Sequence, residues 1–132
     1  MIKKLRSHTT LPAVDLDRAK KFYSEKLGLA PATESEGGIF YELAGGTRFI
    51  VYPTPNPTRG GHTQLGLTTN DIEADVAELR SRGVVFEEYD VPGLKTENGI
   101  AQTGTARAAW FKDSEGNTIG IVQLPPGAEP GT

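Results

Sequence analysis

Apolar and polar residues alternate from Leu5 to Ala13, near the start of the chain. Successive side chains of a strand point to opposite faces, so this pattern predicts a strand with Leu11 on one face and with His8 and Thr10 on the other. The next apolar residues recur at helical spacing after Asp15, a residue type that caps helices. They are Leu16, Ala19, Tyr23 and Leu27. The chain is therefore predicted to open with a strand and an amphipathic helix.

The order of one strand, one helix and three strands occurs twice along the chain, with a period of about 55 residues. The predicted strands are 5–13, 30–34, 39–44 and 47–53 in the first half, and 62–69, 84–90, 106–112 and 117–123 in the second. A segment rich in Pro and Gly, residues 54–61, separates the halves. Asn70 is expected to cap the second helix, and residues 91–105 are expected to form a long loop.

This duplication predicts an α+β fold of two tandem βαβββ modules. Because one helix covers only one face of a sheet, the opposite face of each module is left free. We therefore expect curved mixed sheets around a cup-shaped cavity. All 132 residues are assigned to a single domain. Its parts are module 1 at about 4–53, a linker at 54–61, module 2 at about 62–124 and a tail at 125–132.

Composition and charge argue against several classes of function. The chain has no cysteine, so thiolate metal sites, disulfides and thiol nucleophiles are excluded. A net charge of −3, with no cluster of Lys and Arg among aromatics, argues against a nucleic-acid partner. No stretch has the ~20 apolar residues of a membrane span, and no apolar stretch typical of a signal peptide follows Met1. These features predict a cytoplasmic protein with no membrane partner.

Two segments, LPAVDLDRAKKFYSEKLGL and FKDSEGNTIGIVQ, resemble the vicinal oxygen chelate superfamily. This superfamily includes glyoxalase I, bleomycin-resistance proteins and extradiol dioxygenases. The resemblance extends from Leu5 to Leu124, and its most specific part is F-x-D-x-x-G-N before the last strand. It implies the two-module fold and commonly a homodimer. It does not fix the function, because the superfamily holds both metalloenzymes and metal-free binders.

In the metalloenzymes of that superfamily, four cup-facing positions hold His or Gln and Glu, and bind a divalent ion. The resemblance places these positions at His8, Phe49, Gln64 and Gly120, with Val51 on the same face as Phe49. Two expected carboxylates are therefore missing. One His and one Gln would bring no negative charge to offset the desolvation of the ion. His62 and Glu42 could complete an irregular site if both turned into the cup.

We therefore interpret the chain as a small-molecule-binding protein without the usual metal site, which holds a planar organic ligand in the cup. The predicted ligand-binding residues are His8, Thr10, Phe49, Val51, Gln64, Trp110 and Gly120. No cofactor is expected. A divalent metal, if one binds, would be held by His8, Gln64, His62 and Glu42.

Two alternatives remain open. One is a glyoxalase-like lyase, isomerase or dioxygenase that uses the irregular metal site, or His8 as a general base. The other is a module for protein association, which would fill the cup with its own side chains. Asp113 and Glu115 are expected in a solvated hairpin turn, and the predicted loop 91–105 could serve as a lid, with Lys95 meeting an anionic ligand.

Overall fold

The structure, a computed structural model, describes residues 1–125, which form two mixed sheets that each pack against one helix. The first module contains β1 (Thr9–Ala13), α1 (Leu16–Glu25), β2 (Thr33–Ser35), β3 (Gly38–Glu42) and β4 (Arg48–Pro53). The second contains β5 (Leu65–Thr68), α2 (Ile72–Ser81), β6 (Asp90–Val91), β7 (Leu94–Glu97), β8 (Ile100–Thr103), β9 (Ala106–Lys112) and β10 (Thr118–Gln123). Short 3-10 helices lie at Ile2–Lys4 and Ala44–Gly46.

The two modules share a common core topology, which the second extends by two strands. The strand order is β1-β4-β3-β2 in the first sheet and β5-β10-β9-β8-β7-β6 in the second. In each sheet the first strand of the module pairs in parallel with the last strand, and the remaining pairs are antiparallel. The α+β class and the two-module fold are therefore confirmed.

Both helices begin at an aspartate that satisfies the free backbone donors of the first turn. Asp15 caps α1 as predicted, and its carboxylate accepts from the backbone N–H three residues later. The prediction for α2 is wrong by one residue, because Asp71 rather than Asn70 provides the cap. Within residues 1–125, neither helix is both long and apolar enough to cross a membrane.

The predicted loop 91–105 is wrong, because this segment forms strands β6 to β8. Asn98 and Gly99 have φ angles of +52° and +81°, the conformation of a two-residue hairpin turn of type I′. The other two turns of the segment contain Gly93 and Gly104, which also have positive φ. The second sheet consequently has six strands rather than four, and extends past β9 and β10, on which α2 packs.

Several predicted strands are shorter than expected, and of the strand predicted at 62–69 only Leu65–Thr68 forms. β1 begins at Thr9, which pairs with Phe49 near the start of β4, so Leu5 lies beyond the sheet and is exposed. Within 84–89 only Phe86 makes a ladder contact, an isolated bridge to Phe111. The rings of these two residues pack with centroids 5.5 Å apart, and single hydrogen bonds from the Glu87 backbone to Trp110 and from the Thr96 backbone to Tyr89 hold the segment to β9 and β7.

The core lies between each sheet and its helix. In the first module, Tyr23 of α1 packs on Tyr41 of β3 and Phe49 of β4, with ring centroids 5.2 and 5.5 Å away. In the second module, Ile72 and Val76 of α2 are buried with Leu65, Ala109, Phe111, Ile119 and Ile121. The core of the first module therefore contains three packed aromatic rings, whereas that of the second is largely aliphatic.

The turn between β9 and β10 connects the two modules, and we call residues 113–117 the Asp113 turn. The buried Asp113 carboxylate accepts from the Tyr23 hydroxyl at 2.7 Å. Asn117 is fully buried, and its Nδ2 donates to Asp113 and to the Pro12 carbonyl, both at 2.9 Å. Burial and the negative charge of Asp113 both raise the pKa of Tyr23, so its hydroxyl remains a donor.

Glu115 extends this connection to the start of α1. Its side chain is only 2% exposed, and it accepts from Arg18 Nε at 2.7 Å and from the Asp15 backbone N–H at 3.0 Å. Burial by itself raises the pKa of Glu115, but the hydrogen bonds from Arg18, Asp15 and Ser114 outweigh it and lower the pKa to about 2. The expectation of a solvated turn at Asp113 and Glu115 is therefore wrong.

Tyr23 and Tyr41 provide a matched test of the hydrogen bond to Asp113. Tyr23→Phe is expected to lower the free energy of unfolding by about 1.5 to 3 kcal/mol, because it removes a hydrogen bond to a carboxylate. The Tyr41 hydroxyl is buried without a partner in the described part of the chain, so Tyr41→Phe is expected to be neutral, or to stabilise by about 1 kcal/mol. Urea unfolding followed by circular dichroism measures both. Equal losses in the two variants would contradict this assignment.

Acid titration tests Glu115. Because its pKa falls from 4.5 to about 2 on folding, the charged form contributes stability above about pH 4.5, and this contribution is lost as the pH falls toward 2. We expect Glu115→Gln to be less stable at neutral pH and to lose less stability between pH 4.5 and 2 than the unmodified chain. Glu78→Gln, which removes the exposed pair with Arg82, is the control and should keep the original slope. Parallel slopes for Glu115→Gln and the control would refute this role.

Candidate functional site: the open faces of the two sheets

Each sheet has one face against its helix and one open face. On the first sheet, Thr10 pairs with Ile50, Ile50 pairs with Phe40, and Pro12 pairs with Tyr52, so these side chains share a face opposite the buried Leu11. The first open face comprises His8, Thr10, Phe40, Glu42, Arg48, Ile50 and Tyr52. Phe40, Ile50 and Tyr52 are half-buried, whereas the polar members are exposed.

His8 lies at the edge of this face, directly before β1. Its ring meets Phe40 edge-on, with centroids 5.3 Å apart and an interplanar angle of 66°. In residues 1–125 neither imidazole nitrogen has a hydrogen-bond partner, so His8 can donate to or accept from a bound molecule. Nearby, Glu42 and Arg48 stand opposite each other and form an exposed ion pair at 3.7 Å.

The placement of Phe49 and Val51 on the cup face is wrong. Phe49 pairs with Thr9, and Val51 pairs with Leu11, so both lie on the helix-facing side of β4. They are 1% and 0% exposed, and Phe49 stacks on Tyr41 at 5.1 Å. Neither side chain can reach a molecule on the open face.

The second open face is centred on Gly66, Gly120 and Trp110, which lie side by side on β5, β10 and β9. The Trp110 indole N–H donates to Thr63 Oγ1 at 3.1 Å, and Tyr89 meets the indole edge-on at 5.7 Å. A Cβ at Gly120 would lie 3.2 Å from the Trp110 ring, so the indole covers this position. A Cβ at Gly66 would meet nothing within 4 Å, so the backbone there is open.

The Gln64 side chain is not free to bind a ligand, because both the nitrogen and the oxygen of its amide already form hydrogen bonds. Its Nε2 donates to Asn117 Oδ1 at 2.9 Å. Its Oε1 accepts from the Thr118 backbone N–H and from Thr58 Oγ1, each at 3.2 Å. The side chain therefore belongs to the network around the Asp113 turn.

The four residues named for an irregular metal site are not brought together. Glu42 is paired with Arg48, Gln64 is bonded as above, and His62 is exposed in the segment before β5. Among the residues that the structure describes, no group of three or more His, Cys, Asp and Glu side chains could hold a metal ion. The donors present on the open faces therefore do not fit a divalent ion, which requires anionic oxygen or several imidazole ligands.

Phe40, Ile50 and Tyr52 form the apolar part of the first open face, yet none of them is among the predicted ligand-binding residues. In RFIVYP both alternating sets are apolar, so hydrophobicity alone does not assign the faces. Arg48 carries the only charge of β4, and it shares its parity with Ile50 and Tyr52. That charge is the signal that would have indicated the open face.

Comparison with known proteins agrees with this architecture. A family model described as Glyoxalase/Bleomycin resistance protein/Dioxygenase superfamily matches residues 6–121. Among curated proteins no match is found.

Several solved structures have a similar fold. TnmS3, an antibiotic binding protein from Streptomyces sp. CB03234, is 26% identical with a TM-score of 0.61, over 92% of this chain and 98% of that one. A glyoxalase/bleomycin resistance protein/dioxygenase from Alicyclobacillus acidocaldarius is 20% identical with a TM-score of 0.66, over 89% of each chain. The glyoxalase family protein from Enterococcus faecalis is 20% identical with a TM-score of 0.68, over 92% of this chain and 99% of that one.

Proposed function

Because the chain belongs to the Glyoxalase/Bleomycin resistance protein/Dioxygenase superfamily, we propose that it binds a planar organic ligand on the open faces of its two sheets. The observation that carries this proposal is the loss of a carboxylate at a position that an aromatic side chain now covers. Where the metalloenzymes resembled by the sequence hold a carboxylate, this chain has Gly120 with the Trp110 indole over it.

The second open face suits a flat molecule. The bare backbone at Gly66 leaves room beside the indole, so an aromatic ring system can lie across β5 and contact Trp110. Trp110 is fixed by its hydrogen bond to Thr63 and by Tyr89, so little side-chain freedom is lost when a ligand packs on it.

The first open face supplies apolar contact with a polar group at its edge. Phe40, Ile50 and Tyr52 are half-buried and offer aromatic and aliphatic surface. His8 and Thr10 can each donate and accept hydrogen bonds. Small-molecule sites typically combine apolar surface with a few polar groups in this way.

The likeness to TnmS3 supports the same ligand class. TnmS3 is an antibiotic binding protein, and the similarity extends over 92% of this chain. We therefore propose planar aromatic antibiotics, quinones and related metabolites as the ligand class.

We also propose that binding requires no metal and no other cofactor. The carboxylate and amide groups near the open faces are engaged with Arg48 and Asn117. A carboxylate side chain at Gly120 would have to displace Trp110, since even a Cβ there lies 3.1 to 3.2 Å from the nearest atoms. A cytoplasmic location stays a prediction.

The proposed assembly is a two-fold homodimer in which the open faces form the cup. In one chain the apolar side chains Phe40, Ile50 and Tyr52 are only half-buried. A second copy would cover this surface and enclose a ligand on more than one side.

Fluorescence of Trp110, the single tryptophan, tests the ligand proposal. A panel of planar aromatic antibiotics and quinones, beginning with daunorubicin and menadione, is titrated in buffer containing EDTA. We expect quenching by at least one member. Gly66→Val should weaken binding about ten-fold or more, because its side chain fills the space of the ligand, and Tyr52→Ala should cost about 2 kcal/mol of binding free energy.

Lys21→Ala, on the exposed side of α1, is the control and should bind as the unmodified chain does. Unchanged affinity in both Gly66→Val and Tyr52→Ala would place the ligand elsewhere. Binding that appears only when EDTA is replaced by a divalent metal would instead favour the glyoxalase-like metalloenzyme.

Light scattering of the purified chain tests the assembly. We expect a mass near twice the chain mass of 14.2 kDa, because pairing buries the apolar side chains of the first open face. A mass near that of one chain at micromolar concentrations would show that the cup is not built by two copies.

A further inference from the structure

A groove lies on the helix side of the second sheet, between α2 and strands β6 to β8. α1 and α2 each have ten residues, but the first sheet has four strands and the second has six. α2 packs on β9 and β10, so the helix side of the added strands is not covered by a helix. The result is a groove of about 840 Å³. It lies on the opposite side of the sheet from Trp110 and Gly120, and is separate from the proposed ligand site.

The groove is lined by both apolar and charged side chains. The apolar ones include Val76 and Ala77 of α2, Leu94 of β7 and Ile100 of β8. Glu73, in the first turn of α2, forms an ion pair with Arg107 at 2.7 Å, and Arg80 lies in the last turn of the same helix. Glu73 and Arg80 are separated by about 10 Å along the helix, at 1.5 Å per residue. The lining therefore combines apolar side chains with charged ones.

Arg80 is held in place without a carboxylate partner. Its Nη2 donates to the Asn98 carbonyl at 2.8 Å, and its guanidinium lies 5.6 Å from the centre of the Phe86 ring. Arginine has five N–H donors, so this arrangement leaves most of them available. Among residues 1–125, Arg80 and Lys95 are the cations of the groove that form no ion pair, since Arg107 is paired with Glu73.

Charge also favours an anion here. The lining contains three cationic side chains, Arg80, Lys95 and Arg107, and two carboxylates, Glu73 and Glu97. The whole chain, by contrast, has a net charge of −3. A guanidinium fixed over an aromatic ring binds a carboxylate through parallel hydrogen bonds, with little further loss of freedom.

We infer that this groove is a second binding site, for a small amphipathic carboxylate. The carboxylate is bound by Arg80, with Lys95 nearby, and the apolar body lies on Ala77, Leu94 and Ile100. The spacing along α2 suits an apolar body of about 10 Å, similar to a chain of eight carbons.

Amide chemical shifts of the ¹⁵N-labelled chain during titration with octanoate test this inference. We expect shifts in α2, β7 and β8, and none in β1 or β4. Arg80→Gln should weaken octanoate binding about ten-fold or more, because it removes charge-assisted hydrogen bonds. Arg82→Gln is the matched control, since Arg82 is on the same helix end but pairs with Glu78 outside the groove. 1-Octanol, which has no charge, should bind at least ten-fold more weakly than octanoate.

Three results would overturn the inference. These are the absence of shifts in α2 and β7, equal affinity for octanoate and octanol, and equal affinity in Arg80→Gln and Arg82→Gln.

If Arg80→Gln does not give a folded spectrum, Lys95→Gln takes its place, because Lys95 is exposed and its loss leaves the packing intact. It should weaken octanoate binding several-fold, and unchanged affinity would count against the site. Shifts confined to the first open face would assign the anion to the proposed ligand site instead.

Discussion

The buried carboxylate of Asp113 is the group on which the arrangement of the two modules depends. It accepts from the Tyr23 hydroxyl, from the backbone N–H and the side-chain Nδ2 of Asn117, and from the Glu115 backbone N–H. A buried carboxylate is tolerated only when donors surround it in this way. Tyr23 belongs to α1 of the first module, whereas the other donors belong to the turn before β10 in the second module. The Asp113 carboxylate therefore links the two modules.

The hydrogen bonds of the Asn117 side chain link the Asp113 turn to the strands that bear the open faces. Its side chain donates to Pro12 on β1 and accepts from Gln64, directly before β5. Thr118 then begins β10, which places Gly120 beside Gly66 and opposite Trp110. Gln64 is thus committed to the framework, although its residue type and position suggested a metal or ligand contact. The F-x-D-x-x-G-N phrase is consequently a structural element of this chain.

Prediction from sequence succeeded where polar and apolar residues differ clearly along an element. The faces of β1 and the cap of α1 are examples, since Leu11 and Asp15 lie where the pattern places them. It failed on β4, where both faces are apolar and only the register with β1 distinguishes Phe49 from Ile50.

The remaining errors have separate physical causes. The length of segment 91–105 favoured a loop, yet its Asn98-Gly99 pair is a strong hairpin signal that would have predicted β7 and β8. The burial of Asp113 depends on a hydroxyl 90 residues away in sequence, a contact that no local pattern reports. Local signals therefore predict the elements of this fold, whereas the chemistry of its turns and faces depends on register and on long-range contacts.

The different widths of the two sheets explain why the two modules present different surfaces. Each module has one helix of ten residues that covers one face of its sheet. The first sheet has four strands, and its open face combines half-buried apolar side chains with exposed polar ones. The second sheet has six strands and extends beyond β9 and β10, on which α2 packs, and Trp110 covers the glycine of its open face. The aromatic side chain of Trp110 lies on one side of this sheet and a groove with the guanidinium of Arg80 on the other, so the two sides present different chemical surfaces.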